Sequence, residues 1–460
     1  PRHTGDFSVF RVYADAENRP AEYSKDNRPY EAPRHLEISL DGVREGDFAM
    51  VMGFPGSTDR YMTSYEIDQT LEVSNPQRIF IRGERQEIMR RHMEASDEVR
   101  IKYASKYAGS SNYWKNSIGM SRGLERLNVK AKKQAEEAAF QRWAEENTLP
   151  GEHYIDALPK IREAVEGMTP VSASMQYLQE AFLSSVEIIA NAAQALDTAR
   201  LEAFFGDYDA ALDHEVARRM FRIAKENMRP EDLPSVYADV IDARFGGDTD
   251  AYVDWLYSTS AYTSLDKALA LTDETRKQDP AYELAMSVIT RNRSLAAARR
   301  EWTTLYNEGH RLYIAGLMRM QPERAWYPDA NFTIRLTYGQ VLPYDPADAV
   351  TYNYFTTLEG VLAKEDAGNP EEFTVEDKLK ELYRAKDYGR YADADGRIHT
   401  CFLANLDITG GNSGSPVLDR DGRLIGLAFD GNWEAMSGDI AFEPELQRCI
   451  AVDIRYVLFI

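Results

Sequence analysis

Near Ser64 and again near Pro322 the chain changes character, and any fold it adopts has to accommodate both changes. Before the first change, Leu36–Leu40 and Phe48–Gly53 read as strands, closed by the turn Gly53-Phe54-Pro55-Gly56. After the second, the run from Phe332 to Tyr338 alternates apolar and polar residues, the period-two pattern of a half-buried strand. Between them glycine and proline are sparse, and Ala, Glu, Lys, Arg, Leu and Met recur at helical spacing. Helices are expected over Gln86–Lys106, Met120–Glu146, Ser172–Phe205, His214–Met228 and Ala281–Arg319, with breaks that include Pro150-Gly151, Gly167–Pro170 and Gly246-Gly247. No internal repeat is visible, which argues against a solenoid. The chain therefore reads as α+β, a β-rich domain over 1–63 and 328–460 interrupted by an all-α domain over 64–327.

Composition narrows the function. A net charge of −21 disfavours a phosphate-backbone partner, and Lys130, Lys132 and Lys133 then read as a solvated helix face. No apolar run approaches the ~20 residues that span a bilayer. The sequence has no His-Glu-x-x-His run and no His/Cys cluster at metal-ligand spacing, so neither a metal nor an organic cofactor is expected. Cys401 and Cys449 both fall in the C-terminal β-rich part, and spacing alone leaves their pairing open.

The run Thr409-Gly410-Gly411-Asn412-Ser413-Gly414-Ser415-Pro416-Val417-Leu418 carries the chemistry. It resembles the Gly-Asp-Ser-Gly-Gly-Pro pattern of chymotrypsin-like serine peptidases, with Asn412 and Ser415 in place of the aspartate and the second glycine. Such a turn exposes a serine hydroxyl. A glycine at 411 lets the backbone bend so that the amides of Gly411 and Ser413 converge on a developing oxyanion. A glycine-rich structural turn would carry the same residue types.

Two other segments are candidates. Gly5-Asp6 heads the apolar run Phe7–Tyr13, read as a strand, and Asp6 is either a turn aspartate or the carboxylate that orients a catalytic histidine. Ala108–Trp114, with Ser110-Ser111-Asn112, reads as a turn between helices, where asparagine is common in any case. Further on, Asp421-Gly422 forms a hairpin turn into Leu424–Phe429, and the last strands are expected at Asp439–Phe442 and Cys449–Ile454.

Three long runs, Pro1 to Arg11, Asp407 to Pro416 and Phe429-Asp430-Gly431-Asn432-Trp433-Glu434, together resemble the S46 family of bacterial dipeptidyl peptidases. The resemblance spans the chain and implies a chymotrypsin-like double β-barrel with a helical domain capping the cleft. It also implies removal of dipeptides from peptides with a free N-terminus, a periplasmic location and a homodimer. On its pattern Ser413 is the nucleophile, Asp6 the orienting carboxylate, and Gly411 and Ser413 the oxyanion hole. Asn112 and Asp430 hold the substrate ammonium. Gly431 matches members that accept bulky apolar P1 residues, where acidic-P1 members carry arginine. A side-chain-free position leaves volume and supplies no cation, although glycine there would equally serve a hairpin needing positive φ.

One departure stands out. The order His, Asp, Ser needs a histidine ahead of Asp6, and only His3 precedes it. The chain is thus expected to lack an upstream segment that bears the general base, and to be inactive alone. It also ends on a run read as a strand, Tyr456–Ile460, where relatives are expected to continue. An endopeptidase of the same barrel class and an inactive binding homologue are the competing readings.

Overall fold

The computed structural model describes residues 3–370 and 373–460. These form two compact units, one from the ends of the chain (up to Tyr61 and from Tyr327) and one from Met62–Trp326.

The first unit is built on a sheet. Its strands are β1 (Tyr13–Ala14), β2 (Arg28–Pro29), β3 (Phe48–Gly53), β4 (Arg335–Gln340), β5 (Tyr344–Ala347), β6 (Val350–Tyr352), β7 (Phe355–Thr357), β8 (His399–Ala404), β9 (Pro416–Leu418), β10 (Leu424–Gly431) and β11 (Cys449–Asp453). Seven of them lie in the antiparallel order β4-β3-β9-β10-β11-β8-β7. The sheet curls back on itself. Val341 bridges Ala404, the Leu342 N–H donates to Leu403, and the Asn405 N–H donates to Gln340. Closure buries Ala49, Val51, Phe402, Val417, Ile425 and Ala451 in one core and removes the open edges that a flat sheet would expose. Gly426 is required inside this barrel, because a Cβ there would lie 2.6 Å from the Phe402 ring and from the Val452 carbonyl.

The family resemblance implies two barrels, and the described residues form one. The run Phe7–Tyr13 is not a strand before Tyr13, and Val9 and Phe10 are 81% and 87% exposed. Its apolar alternation has no neighbouring ladder among the described residues, and a strand's N–H and C=O groups need one. Leu36–Leu40 makes a single parallel bridge, Ile38 to Leu424. Residues 439–442 form a turn and its exit. The chain end is also corrected: Ile454–Phe459 is a helix whose first turn is capped by Asp453, which accepts from the Arg455 N–H. The sequence also reads as a modest helix over 371–385, of which residues 371–372 lie outside the described residues and Asp377–Ala385 is helical. Cys401 and Cys449 are buried thiols that are not joined in a disulfide; the register sets Cys401 opposite Val452 and Cys449 opposite Ala404.

The second unit is helical: α1 (Ser64–Gln69), α2 (Asn75–Ala95), α3 (Asp97–Arg126), α4 (Val129–Asn147), α5 (Ala157–Tyr177), α6 (Glu187–Ala193), α7 (Thr198–Gly206), α8 (Ala210–Asn227), α9 (Ala243–Phe245), α10 (Thr249–Thr259), α11 (Leu265–Leu269) and α12 (Pro280–Met320). Two expected breaks are absent. Gly167–Pro170 lies inside α5, where Gly167 lets α12 approach so closely that a Cβ would sit 2.6 Å from the Trp302 ring. Ala108–Trp114 is not a turn but the middle of α3. Two of its small residues serve packing: Ser110 and Ser111 are buried, and Arg82 of α2 donates to the Ser110 carbonyl.

A buried polar cluster ties α1 to α12. The Glu66 carboxylate accepts from the Thr63 N–H and hydroxyl (2.8 Å each), the Tyr306 hydroxyl and His310 Nε2 (3.0 Å). Burial alone raises its pKa, but the His310 contact and the Thr63 and Tyr306 hydrogen bonds outweigh it and hold it below the ordinary 4.5. Glu66→Gln is expected to destabilise the helical unit by about 2–4 kcal/mol. A carboxylate with a depressed folded pKa contributes stability above the unfolded value and loses it as pH falls through the folded one. The gap in Tm between wild type and Glu66→Gln is therefore expected to be full at pH 7 and to narrow below about pH 4.5.

Candidate active site

The serine turn connects β8 to β9 and is held from both sides. On one side the Gly414 N–H donates to the Ala428 carbonyl of β10 (2.7 Å), and the Ala428 N–H donates to Ser415 (3.0 Å). On the other side the Gly56 N–H donates to the Gly410 carbonyl (2.7 Å). Gly411 passes so close to the 53–56 turn that a Cβ would meet the Phe54 carbonyl at 2.4 Å. Its φ of +106° makes glycine doubly necessary. Gly53 is constrained from the opposite direction, since a Cβ there would lie 2.5 Å from Asn412 Nδ2 and from Ser415 Oγ.

Within the turn, Asn412 is buried and its Oδ1 accepts from the Thr409 N–H (3.2 Å). A neutral amide does this without leaving a buried charge unpaired, which fits asparagine where the chymotrypsin-like pattern has aspartate. The hydrogen bonds then sort the backbone. The N–H groups of Thr409, Asn412, Gly414 and Ser415 are all engaged. Among the described residues those of Gly411 and Ser413 make no hydrogen bond. Ser413 is exposed, and its hydroxyl is likewise unbonded among the described residues. Two idle amides beside an exposed hydroxyl are what acyl transfer requires of a nucleophile and its oxyanion hole.

Asp6 is exposed and makes no ion pair or hydrogen bond among the described residues. It is placed by its neighbours: a Cβ on Gly5 would lie 2.5 Å from the Tyr456 ring and 3.6 Å from Val452, and Phe7 packs in the same cluster. Val452 follows Ala451, the cross-strand partner of Ala428, on which Gly414 is hung. Asp6 and Ser413 are thus both anchored on the β10–β11 ladder.

The histidines are accounted for elsewhere. His92, His153, His214 and His310 pair with Glu215, Asp156, Asp254 and Glu66. His399 stacks on Phe355 and faces Asp393 and Asp395, His3 lies against Gly360, and His35 is exposed. None bonds to Ser413 or Asp6 among the described residues.

Asp430 and Gly431 close β10, beyond a bulge at Ala428/Asp430. Asp430 is half-buried, and its Oδ1 accepts from the Gly431 N–H (2.8 Å). Burial, with the Asp430 charge added to it, pushes the Cys449 thiol up to about 12, so this cysteine stays protonated and unreactive. Gly431 does not have positive φ, so the backbone explanation for glycine falls away. A Cβ there would lie 3.2 Å from the Ala435 methyl and 3.8 Å from both Met436 Cε and the Arg448 carbonyl oxygen, a close fit that a small shift of Ala435 would relieve. The neighbouring Arg448 directs its guanidinium to the carbonyls of Leu342, Pro343, Pro444, Glu445 and Gln447. The surroundings of Gly431 thus combine two apolar side chains with one backbone carbonyl, and the Arg448 guanidinium is engaged elsewhere.

A model of the peptidase S46 family matches residues 1–460. The chain belongs to peptidase family S46. It is 48% identical to the dipeptidyl-peptidase 7 of Porphyromonas gingivalis and 45% identical to that of Phocaeicola vulgatus, in each case over the whole of this chain and 67% of the relative. An Asp/Glu-specific dipeptidyl-peptidase of P. gingivalis is 40% identical over the same shares. Among solved structures, the Porphyromonas endodontalis DPP11 complex with the dipeptide Arg-Asp matches all of this chain and 68% of its own. Its TM-score is 0.91 at 37% identity. The complex with Arg-Glu gives 0.90, also at 37%, over 69% of its chain.

Within this S46 member, the last of the predicted site residues, Asn112, lies at the exposed middle of α3 in the helical unit, next to Tyr113, whose ring Arg82 covers at 4.9 Å. Sequence inspection missed Gly53 and the buried role of Asn412. The signal for both was present in the Gly53-Phe54-Pro55-Gly56 turn, which has no reason to be so small unless another backbone lies against it.

Proposed function

We propose that this protein is a serine dipeptidyl peptidase that releases dipeptides from the free N-termini of oligopeptides, with a preference for apolar P1 residues. The observation that carries the reading is the serine turn, with an exposed Ser413 hydroxyl beside the unbonded amides of Gly411 and Ser413. Ser413 Oγ attacks the second peptide carbonyl, and the two amides hold the oxyanion. The shortened peptide leaves first, and water then releases the dipeptide from the acyl-enzyme. On this reading the barrel is the nucleophile-bearing one of a chymotrypsin-like pair. The general base that Asp6 orients is a histidine not among the seven placed above.

Asp430 supplies the measuring device. A half-buried carboxylate a few residues along β10 from the strand position that carries the serine turn suits an ammonium two residues from the scissile bond. Asn112 is proposed to assist in holding that group, on the family pattern alone. The apolar P1 preference rests on the missing side chain at Gly431, with Ala435 and Met436 beside it and the Arg448 guanidinium directed to backbone carbonyls. A periplasmic location and a homodimer are part of the same proposal, and no cofactor enters it.

The test uses the complete gene product and dipeptidyl reporters with Leu, Met, Asp or Glu at P1, each with a free or an acetylated amine. Cleavage of the free Leu and Met forms at least about tenfold faster than the others is expected. Faster cleavage of the Asp and Glu forms would sink the apolar preference. Equal cleavage of acetylated forms would leave an endopeptidase, and no cleavage at all an inactive homologue.

A further inference from the structure

We propose that the outer face of the paired strands β3 and β4 is the binding surface for the part of the substrate that follows the scissile bond, and that it selects apolar residues there. The inference rests on the dipeptidyl peptidase reading above.

The connectivity around the serine turn defines two sides. One is β10, reached through Ala428 and leading to Asp430 and Gly431, where the departing dipeptide is measured. The other is the 53–56 turn, bonded to Gly410 and pressed against Gly411. A substrate whose first two residues occupy the β10 side continues over the other side. Exposed apolar side chains recur along that side. Phe54 leads to Phe332, whose N–H donates to the Pro55 carbonyl (2.9 Å) and whose ring lies against Gly56. Leu336 follows on β4 opposite Met52, then Tyr338 opposite Met50. Phe332, Leu336 and Tyr338 are 71%, 57% and 69% exposed. Leu336 and Tyr338 also border a cavity of about 460 Å³ that reaches Asn412 beneath the serine turn.

Phe332 adds an independent observation. Its φ is +61°, a left-handed conformation that a bulky side chain adopts only under constraint. The constraint is visible: Asp329 Oδ1 accepts from the Thr58 hydroxyl (2.6 Å) and the Arg60 N–H (2.9 Å), and the Ala330 N–H donates back to Thr58 (2.9 Å). The segment before β4 is pinned so that an aromatic ring stands in solvent beside the nucleophile turn. Burial of that ring in the folded chain does not explain the strain, and contact with substrate does.

In acylation the scissile C–N bond breaks, the Ser413 Oγ–C bond forms, and the departing amine takes the proton. Only this step involves the trailing peptide. The test therefore compares three free-amine substrates that share their first two residues in the complete gene product: a methyl ester, a peptide continuing Phe-Tyr, and one continuing Asp-Glu. Wild type is expected to prefer the Phe-Tyr peptide about tenfold in kcat/KM. Phe332→Gly, which also relieves the left-handed strain, and Leu336→Ser are each expected to erase most of that preference and to leave the ester rate unchanged. Equal rates for the two peptides in wild type, or variants that slow the ester as much as the peptides, would overturn the proposal. An ester that is not cleaved would refute the peptidase reading itself, and the surface with it.

Discussion

Ser413→Ala in the complete gene product is expected to lower kcat roughly 10⁴- to 10⁶-fold while leaving the fold intact. Both halves follow from the same geometry. The hydroxyl is exposed and bonded to nothing among the described residues, so its removal costs no packing and no hydrogen bond, and Tm is expected to stay within the shift of about 0.5 kcal/mol typical of surface changes. The amides of Gly411 and Ser413 remain in place, so substrate binding persists when chemistry stops. Burst kinetics with a chromogenic ester separate the two contributions. A variant that keeps more than about 1% of kcat would move the nucleophile elsewhere.

Asp430→Asn is expected to lower kcat/KM for free-amine peptides by about 10²-fold, mainly through KM, because a desolvated ammonium loses a charged partner. N-acetylated peptides, poor substrates to begin with, are expected to change little, so the ratio between the two forms collapses. A second readout comes from Cys449. The Asp430 charge adds to burial in holding that thiol at about 12. In the asparagine variant its pKa is expected to fall, as the pH dependence of its S–H stretching band, which needs no reagent access, would report. An unchanged ratio of free to blocked substrates, together with a shifted Cys449, would leave Asp430 a structural residue of β10.

The serine turn was legible because its demands are local. A nucleophile on a tight turn needs small neighbours at fixed offsets, and Gly410-Gly411-Asn412-Ser413-Gly414-Ser415 writes them consecutively. The strand runs at Phe48–Gly53 and Leu424–Phe429 were legible for the same reason: each alternates or runs apolar over its own length, and β3 and β10 lie there. Phe7–Tyr13 has an equally good pattern and is not a strand before Tyr13, since a ladder is a property of two segments. Ala108–Trp114 failed in the other direction. Gly109, Ser110 and Ser111 were read as a turn, whereas they lie inside α3 and the buried Ser110 meets Arg82 of α2, which local sequence does not record.

The sequence by itself determined the class of chemistry and the alternation of β-rich and helical segments, and it nominated the residues proposed to act. These depend on interactions within a few positions of each other. Tertiary structure decided which glycines are glycine for reasons of space. Gly53 lacks a Cβ because Asn412 and Ser415 stand there, and Gly411 because the Phe54 carbonyl does. Tertiary structure also sorted the amides of the serine turn into bonded and idle, and closed the β4–β8 seam that makes the sheet a barrel. Steric exclusion and hydrogen-bond satisfaction are set by whatever the rest of the chain brings within about 3 Å, and that is fixed only when the chain has folded.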